Sequence, residues 1–88
     1  MYDYRVLDVV RVGTKSKLCL CGDDGRFHVA RASIAVPQIG ARLSGDEPAL
    51  GFGLLLGALV DQVYRVTFEV VGCTQAEALN SAYGQLTP

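Results

Sequence analysis

Apolar and polar side chains alternate with a period of two over much of this chain, the spacing of half-buried β-strands. Val63 to Val71 shows it most cleanly. Tyr64, Val66, Phe68 and Val70 take one side and Arg65, Thr67 and Glu69 the other, which predicts one wall in a core and one facing water or a partner. Tyr2 to Val12, rich in Val and Tyr, also reads as a strand, but its parity changes: Leu7 and Val9 share one side, Val10 and Val12 the other. A straight strand would expose one pair, so a bulge or bend near Val9 and Val10, turning both pairs inward, is expected.

Leu18 to Cys21 and Phe27 to Val36 flank Gly22-Asp23-Asp24-Gly25, a polar, glycine-bounded link that predicts a hairpin. With Asp23 and Asp24 as a two-residue loop, Cys21 faces Arg26, Leu20 faces Phe27, Cys19 faces His28 and Leu18 faces Val29. Leu18, Leu20, Phe27 and Val29 then share a core face, leaving Cys19, Cys21, Arg26 and His28 on the other. Pro37-Gln38-Ile39-Gly40 interrupts the ladder, and Arg42-Leu43-Ser44 predicts a short strand. Asp46 as N-cap and Pro48 in a first turn would open a helix. Gly51, Gly53 and Gly57 would each cost such a helix about 0.5–1 kcal/mol, so residues 48–60 are read as a strand. Thr74 and Glu77 have the capping-box spacing, and a short helix follows with Ala76, Leu79 and Tyr83 on one face and Gly84 at its end.

Five or six strands and a terminal helix predict a mainly β fold, a small antiparallel barrel or curled sheet forming a single domain over residues 1–88. In outline this is similar to an SH3-like or an oligonucleotide/oligosaccharide-binding barrel, a resemblance of architecture that assigns no function. The chain has 88 residues, too few for two cores, and its 50% hydrophobic and 19% charged content excludes a disordered segment. Eight Lys+Arg against nine Asp+Glu leave a formal charge of -1, so no chain-wide field draws nucleic acid or anionic membrane. The N-terminus lacks the pattern of a secretory signal, and the longest uncharged apolar stretch, Pro48 to Val60, falls short of the ~20 residues of a spanning helix. Three cysteines cannot all pair within one chain, and Cys19 and Cys21 are poorly spaced to pair with each other, so a cytoplasmic setting is expected.

His28 is the single histidine and the side chain best suited to proton transfer near neutral pH. On the expected register it shares a face with Cys19 and Cys21, which gives one alternative: a metal-dependent or thiol enzyme centred on those three residues. The Cys-x-Cys spacing is tighter than the usual zinc pair, and packing is the plainer role for both thiols. A second alternative is a single-stranded nucleic-acid binder that stacks bases on Tyr2 and Tyr4 beside Arg5, Arg11, Lys15 and Lys17, although overall charge does not favour it. The leading reading is a non-enzymatic binding or protein-interaction module without a cofactor. It would use the sheet face around Arg26, His28, Arg65 and Thr67, or the apolar strand near Leu55. Leu54-Leu55-Leu56 and Ala58-Leu59-Val60 make both faces of that strand apolar, whereas a barrel has one inside, so its outer face should be covered by the helix or by a second copy in a homodimer.

Overall fold

The structure, a computed structural model, describes residues 1–59 and 61–84. Its strands are β1 (Tyr2–Val12), β2 (Lys15–Gly22), β3 (Phe27–Ala32), β4 (Arg42–Gly45), β5 (Gly51–Leu56) and β6 (Val63–Cys73), followed by helix α1 (Gln75–Tyr83). All neighbours pair antiparallel in the order β1-β2-β3-β6-β5-β4, and β4 pairs back with β1 to close a barrel. The fourth strand returning beside the first is the Greek-key path, and closure gives every strand a neighbour on both sides, the β4–β5 seam being two pairs long. The stretch from residue 48 contains a strand, as its glycines imply, but that strand is confined to Gly51–Leu56. Val60, the last residue of the expected stretch, lies outside the described residues.

The β2–β3 register differs from the expected one by a single residue. Gly22 N–H donates to Arg26 O at 2.8 Å and Gly25 N–H to Gly22 O at 3.1 Å, so Asp23, Asp24 and Gly25 form a three-residue loop. Gly25 adopts φ 78, the left-handed residue that such loops place after the turn. Leu20 therefore pairs with His28, Cys19 with Val29 and Cys21 with Phe27. Because side chains alternate, one residue of slip moves every β3 side chain to the other face. His28 and Ala30 join Leu18 and Leu20 inside the barrel, while Phe27 and Val29 join Cys19 outside. β3 also stops at Ala32, four residues short of Val36, and Ser33 to Val36 are exposed.

Bulges let two strands serve both faces. In β1 the irregularity falls between Val6 and Asp8, earlier than expected, so Tyr4, Val6 and Val9 point inward while Leu7, Val10 and Val12 point outward. In β6 the period of two holds from Tyr64 to Phe68. Glu69 is then skipped in the pairing with β3, and Val70 turns outward to meet Val29. A second irregularity at Val71 and Gly72 follows, with Gly72 at φ 69.

The outward side chains form a second core under α1, which packs on β2, β3 and β6. Thr74 Oγ1 accepts from Glu77 N–H at 3.2 Å and Glu77 Oε1 from Thr74 N–H at 3.0 Å, closing the capping box. The docking face is Ala78 and Ala82, both fully buried, instead of the expected Ala76, Leu79 and Tyr83. Methyl-sized side chains allow close approach: Cys19 Sγ contacts Ala78 O at 3.6 Å, a distance a Leu in that row would prevent. Leu79 is half-buried at the margin, Ala76 is exposed, and the Tyr83 hydroxyl donates to Asp8, tying the helix end to β1.

Inside the barrel, Gly53 makes room for the ring of Phe68. A Cβ at residue 53 would lie 2.9 Å from Phe68 Cε2 and 3.2 Å from Cδ2. Gly53→Ala is therefore expected to lower stability by about 1–3 kcal/mol in urea unfolding. The loss should shrink in a Phe68→Leu background, where the opposing ring atoms are gone. Equal losses in both backgrounds would show that the ring is not the cause.

Candidate functional site

Two places on this framework carry unpaired chemistry. The first is the outer face of β5, against which α1 does not pack, together with the Val63 to Thr67 part of β6 paired to it. Alternation sends Leu55 inward, where it is fully buried, and sends Phe52, Leu54 and Leu56 outward. Pairing with β6 sets three rows across this face: Phe52 beside Thr67, Leu54 beside Arg65, and Leu56 beside Val63. Phe52 is 70% exposed, Leu54 42%, Leu56 37% and Val63 42%. Four neighbouring apolar side chains in water are a different matter from one scattered Leu, because together they form a continuous patch.

The second is one end of the barrel, where Tyr2, Tyr4, His28 and Phe68 gather. Tyr2 and Tyr4 ring centroids are 4.8 Å apart, and the imidazole stands edge-on to Tyr4 at 6.0 Å and to Phe68 at 6.5 Å. His28 is 1% exposed. The bulge at Val71 and Gly72 releases the Gly72 N–H from the ladder, and it donates to His28 Nδ1 at 3.0 Å. An Nδ1 that accepts carries no proton, so in the neutral imidazole the hydrogen is on Nε2. Nε2 has no hydrogen-bond partner among the described residues.

Above it lie Tyr2 and Asp24. Asp24 Oδ1 accepts from Arg26 N–H at 2.9 Å, a local turn contact, and Asp24 N–H lies 3.4 Å from Tyr2 Oη. The Tyr2 hydroxyl, then the Arg26 N–H, hold the Asp24 carboxyl below its usual range. Burial, with the Asp24 hydrogen bond second, pushes Tyr2 up to about 12, so its hydroxyl keeps its proton. Tyr4, whose hydroxyl donates to Asp46 O at 2.7 Å, is raised chiefly by burial.

The residues singled out from sequence are dispersed. Arg65 and Thr67 lie on the outer β5–β6 face, and Arg26 sits on the β2–β3 turn, donating to Gly72 O at 3.4 Å. His28, expected beside them on an exposed face, is inside the barrel because of the three-residue loop. The same change separates it from Cys19, which lies on the opposite side of the sheet under α1, and from Cys21, whose side chain is directed outward with it. A protonated Nε2 is moreover no ligand for a metal, and no group of three His, Cys, Asp or Glu suited to one occurs among the described residues. Burial pushes the Cys19 thiol up to about 11, which suppresses the thiolate a nucleophile needs, and burial also raises Cys73.

The nucleic-acid set is divided as well. Tyr4 is buried, Tyr2 half-buried, and Lys17 is paired with Glu69 at 3.3 Å, leaving Arg5, Arg11 and Lys15 exposed without a stacking platform beside them. The Tyr2–Asp24–His28 grouping is not among the expectations from sequence. Reading Gly22 to Gly25 as a three-residue turn was the signal that would have turned His28 inward toward Tyr2. No helix of the described residues is long and apolar enough to cross a membrane. No family model, curated protein or solved structure matches the chain.

Burial holds His28 below the ordinary histidine range, against a smaller opposing pull from Asp24. Protonation would also cost the Gly72 hydrogen bond. An unfolded histidine titrates near pH ~6.5, so between the two values the unfolded chain binds more protons. The His28 contribution is thus complete above about pH 6.5 and declines as pH falls toward the folded-state value. Urea unfolding should show stability dropping below that pH with a slope of up to about 1.4 kcal/mol per unit, and His28→Gln should flatten the slope. A wild-type profile that is level or rises on acidification would contradict the buried neutral imidazole.

Proposed function

We propose that this chain is a non-enzymatic protein-interaction module that docks the outer face of β5 and β6 onto a second copy of itself. The observation that carries the reading is the row of Phe52, Leu54 and Leu56, joined by Val63, exposed on a wall of the barrel that no element among the described residues covers. An apolar row along one strand is self-complementary under two-fold rotation, so the same patch on each copy can bury the other. Arg65 and Thr67 flank the row, giving the polar border that keeps such an interface soluble when apart. A formal charge of -1 offers little repulsion to two copies meeting. α1 meanwhile spends its apolar face on the other side of the barrel, leaving no element among the described residues to cover β5.

Sedimentation velocity tests this at protein concentrations up to about 100 µM. The expected result is a concentration-dependent dimer that Leu54→Glu converts to monomer, with the urea midpoint unchanged when both chains are compared at a concentration where they are monomeric. A wild-type chain that remains monomeric throughout, or a Leu54→Glu variant that still dimerises, would overturn the reading. In the first case the row would have to serve a different protein.

A further inference from the structure

The polar end of the barrel is built in a way that the apolar face does not require. Gly22 has a backbone conformation open to any residue, yet a Cβ there would lie 2.7 Å from Tyr2 Oη, 2.8 Å from His28 Nε2 and 3.0 Å from Asp24 Oδ1. Three polar atoms from three segments are thus gathered over one glycine, all within 3.0 Å of a single point beside its Cα. One of the three belongs to a side chain that is 1% exposed and whose hydrogen has no acceptor among the described residues. Leaving a buried donor unmatched is costly, so this is where an acceptor is wanted. The open side is a cavity of about 360 Å³ bounded by Tyr2, Asp24, His28, Glu47, Pro48 and Gly72.

From this arrangement we infer that the cavity is a binding site for a neutral polyhydroxylated ligand of the sugar or polyol class. Each alternative chemistry fails on one of the groups present. An anion would accept from Nε2 but would meet the Asp24 and Glu47 carboxylates at the mouth. An ammonium ion would suit those carboxylates but sets donor against donor at Nε2. A hydroxyl oxygen, like that of water, accepts from Nε2–H and donates to Asp24 at the same time. Tyr2 adds a half-exposed ring face for the C–H side of the ligand, and Glu47 adds an acceptor for a neighbouring hydroxyl.

Nε2 is shielded from solvent in this arrangement, and the shield is slight. Tyr2 and Asp24 stand over it, joined by a long 3.4 Å hydrogen bond from the Asp24 backbone N–H to Tyr2 Oη on an exposed turn. A ligand hydroxyl replaces that contact and takes up both groups. Nδ1 plays no direct part. Its bond from Gly72 fixes which nitrogen faces the ligand, so Gly72 acts as a positioning residue through its backbone.

Nuclear magnetic resonance of the ¹⁵N-labelled full chain tests the site with D-glucose, D-galactose and myo-inositol as probes. Sodium acetate and ethylammonium chloride are the controls. At least one of the three polyols should shift the His28 Nε2–H and the Gly22 and Gly72 amides along a saturable curve, with neither control doing so. Gly22→Ala should abolish saturation, and Tyr2→Phe, which keeps the ring, should weaken it roughly tenfold while the β4 and β5 amides stay in place. The inference is overturned by any of three results: linear responses to all three polyols, the signature of an ordered water only; saturation by acetate or ethylammonium instead; or polyol binding that is unchanged in both variants. None of these outcomes depends on whether the chain dimerises.

Discussion

Gly25 at φ 78 governs what this barrel can bury. Its left-handed conformation lengthens the β2–β3 loop to three residues, and the added residue sets the parity of all of β3. With that parity, the inside receives His28 and Ala30 against Leu18 and Leu20, and the outside receives Phe27 and Val29 against Cys19. Burying an outward row of that kind stabilises the domain, and α1 supplies the cover. Two fully buried alanines seat the helix on Val29 and Cys19. The imidazole, meanwhile, lies in an apolar interior that only the bulge at Gly72 can reconcile with its nitrogen acceptor.

The same economy runs through the long strands. A barrel strand normally divides its residues between core and solvent, but β1 and β6 each feed two cores, one on either side of the sheet. Bulges at Leu7 and Glu69 make this possible by shifting the alternation in mid-strand. Burying one Leu or Val side chain contributes about 1.5–3 kcal/mol, so a second core on the outer wall matters to a domain of this size. Glu69, skipped at its bulge, is put to use as the partner of both Lys17 and Arg31 at 3.3 Å. The side of the barrel built from β5 has no such cover. Its outward Phe52, Leu54 and Leu56 are the counterpart of the outward row that α1 hides.

Much of this was legible from residue order. The strands, the short β4, the capping box of Thr74 and Glu77, and the outward placement of Arg65 and Thr67 follow from period and turn chemistry, and each is found. The glycines in residues 48–60 argued against a helix, and Gly53 shows why one of them is needed: Phe68 occupies its side-chain space. What was not legible turned on single residues. Gly-Asp-Asp-Gly suits a two-residue and a three-residue loop alike, and the choice between them inverts a whole strand. Bulges leave a parity change in the sequence without saying where it occurs, as Leu7 shows against the expected Val9 and Val10. The helix face was misjudged because size suggested Leu79 and Tyr83, whereas close approach to Cys19 selected Ala78 and Ala82. A histidine placed on the opposite face has different neighbours, which is why the sequence pattern groups His28 with Cys19 and Cys21 instead of Tyr2 and Asp24.

The most direct test of the account is therefore the register itself, measured by cross-strand backbone nuclear Overhauser effects between β2 and β3. The three-residue loop predicts contacts pairing Leu20 with His28 and Cys19 with Val29. Contacts pairing Leu20 with Phe27 and Cys19 with His28 would contradict it, returning the imidazole to the thiol face and removing both the buried donor and the need for a covering helix.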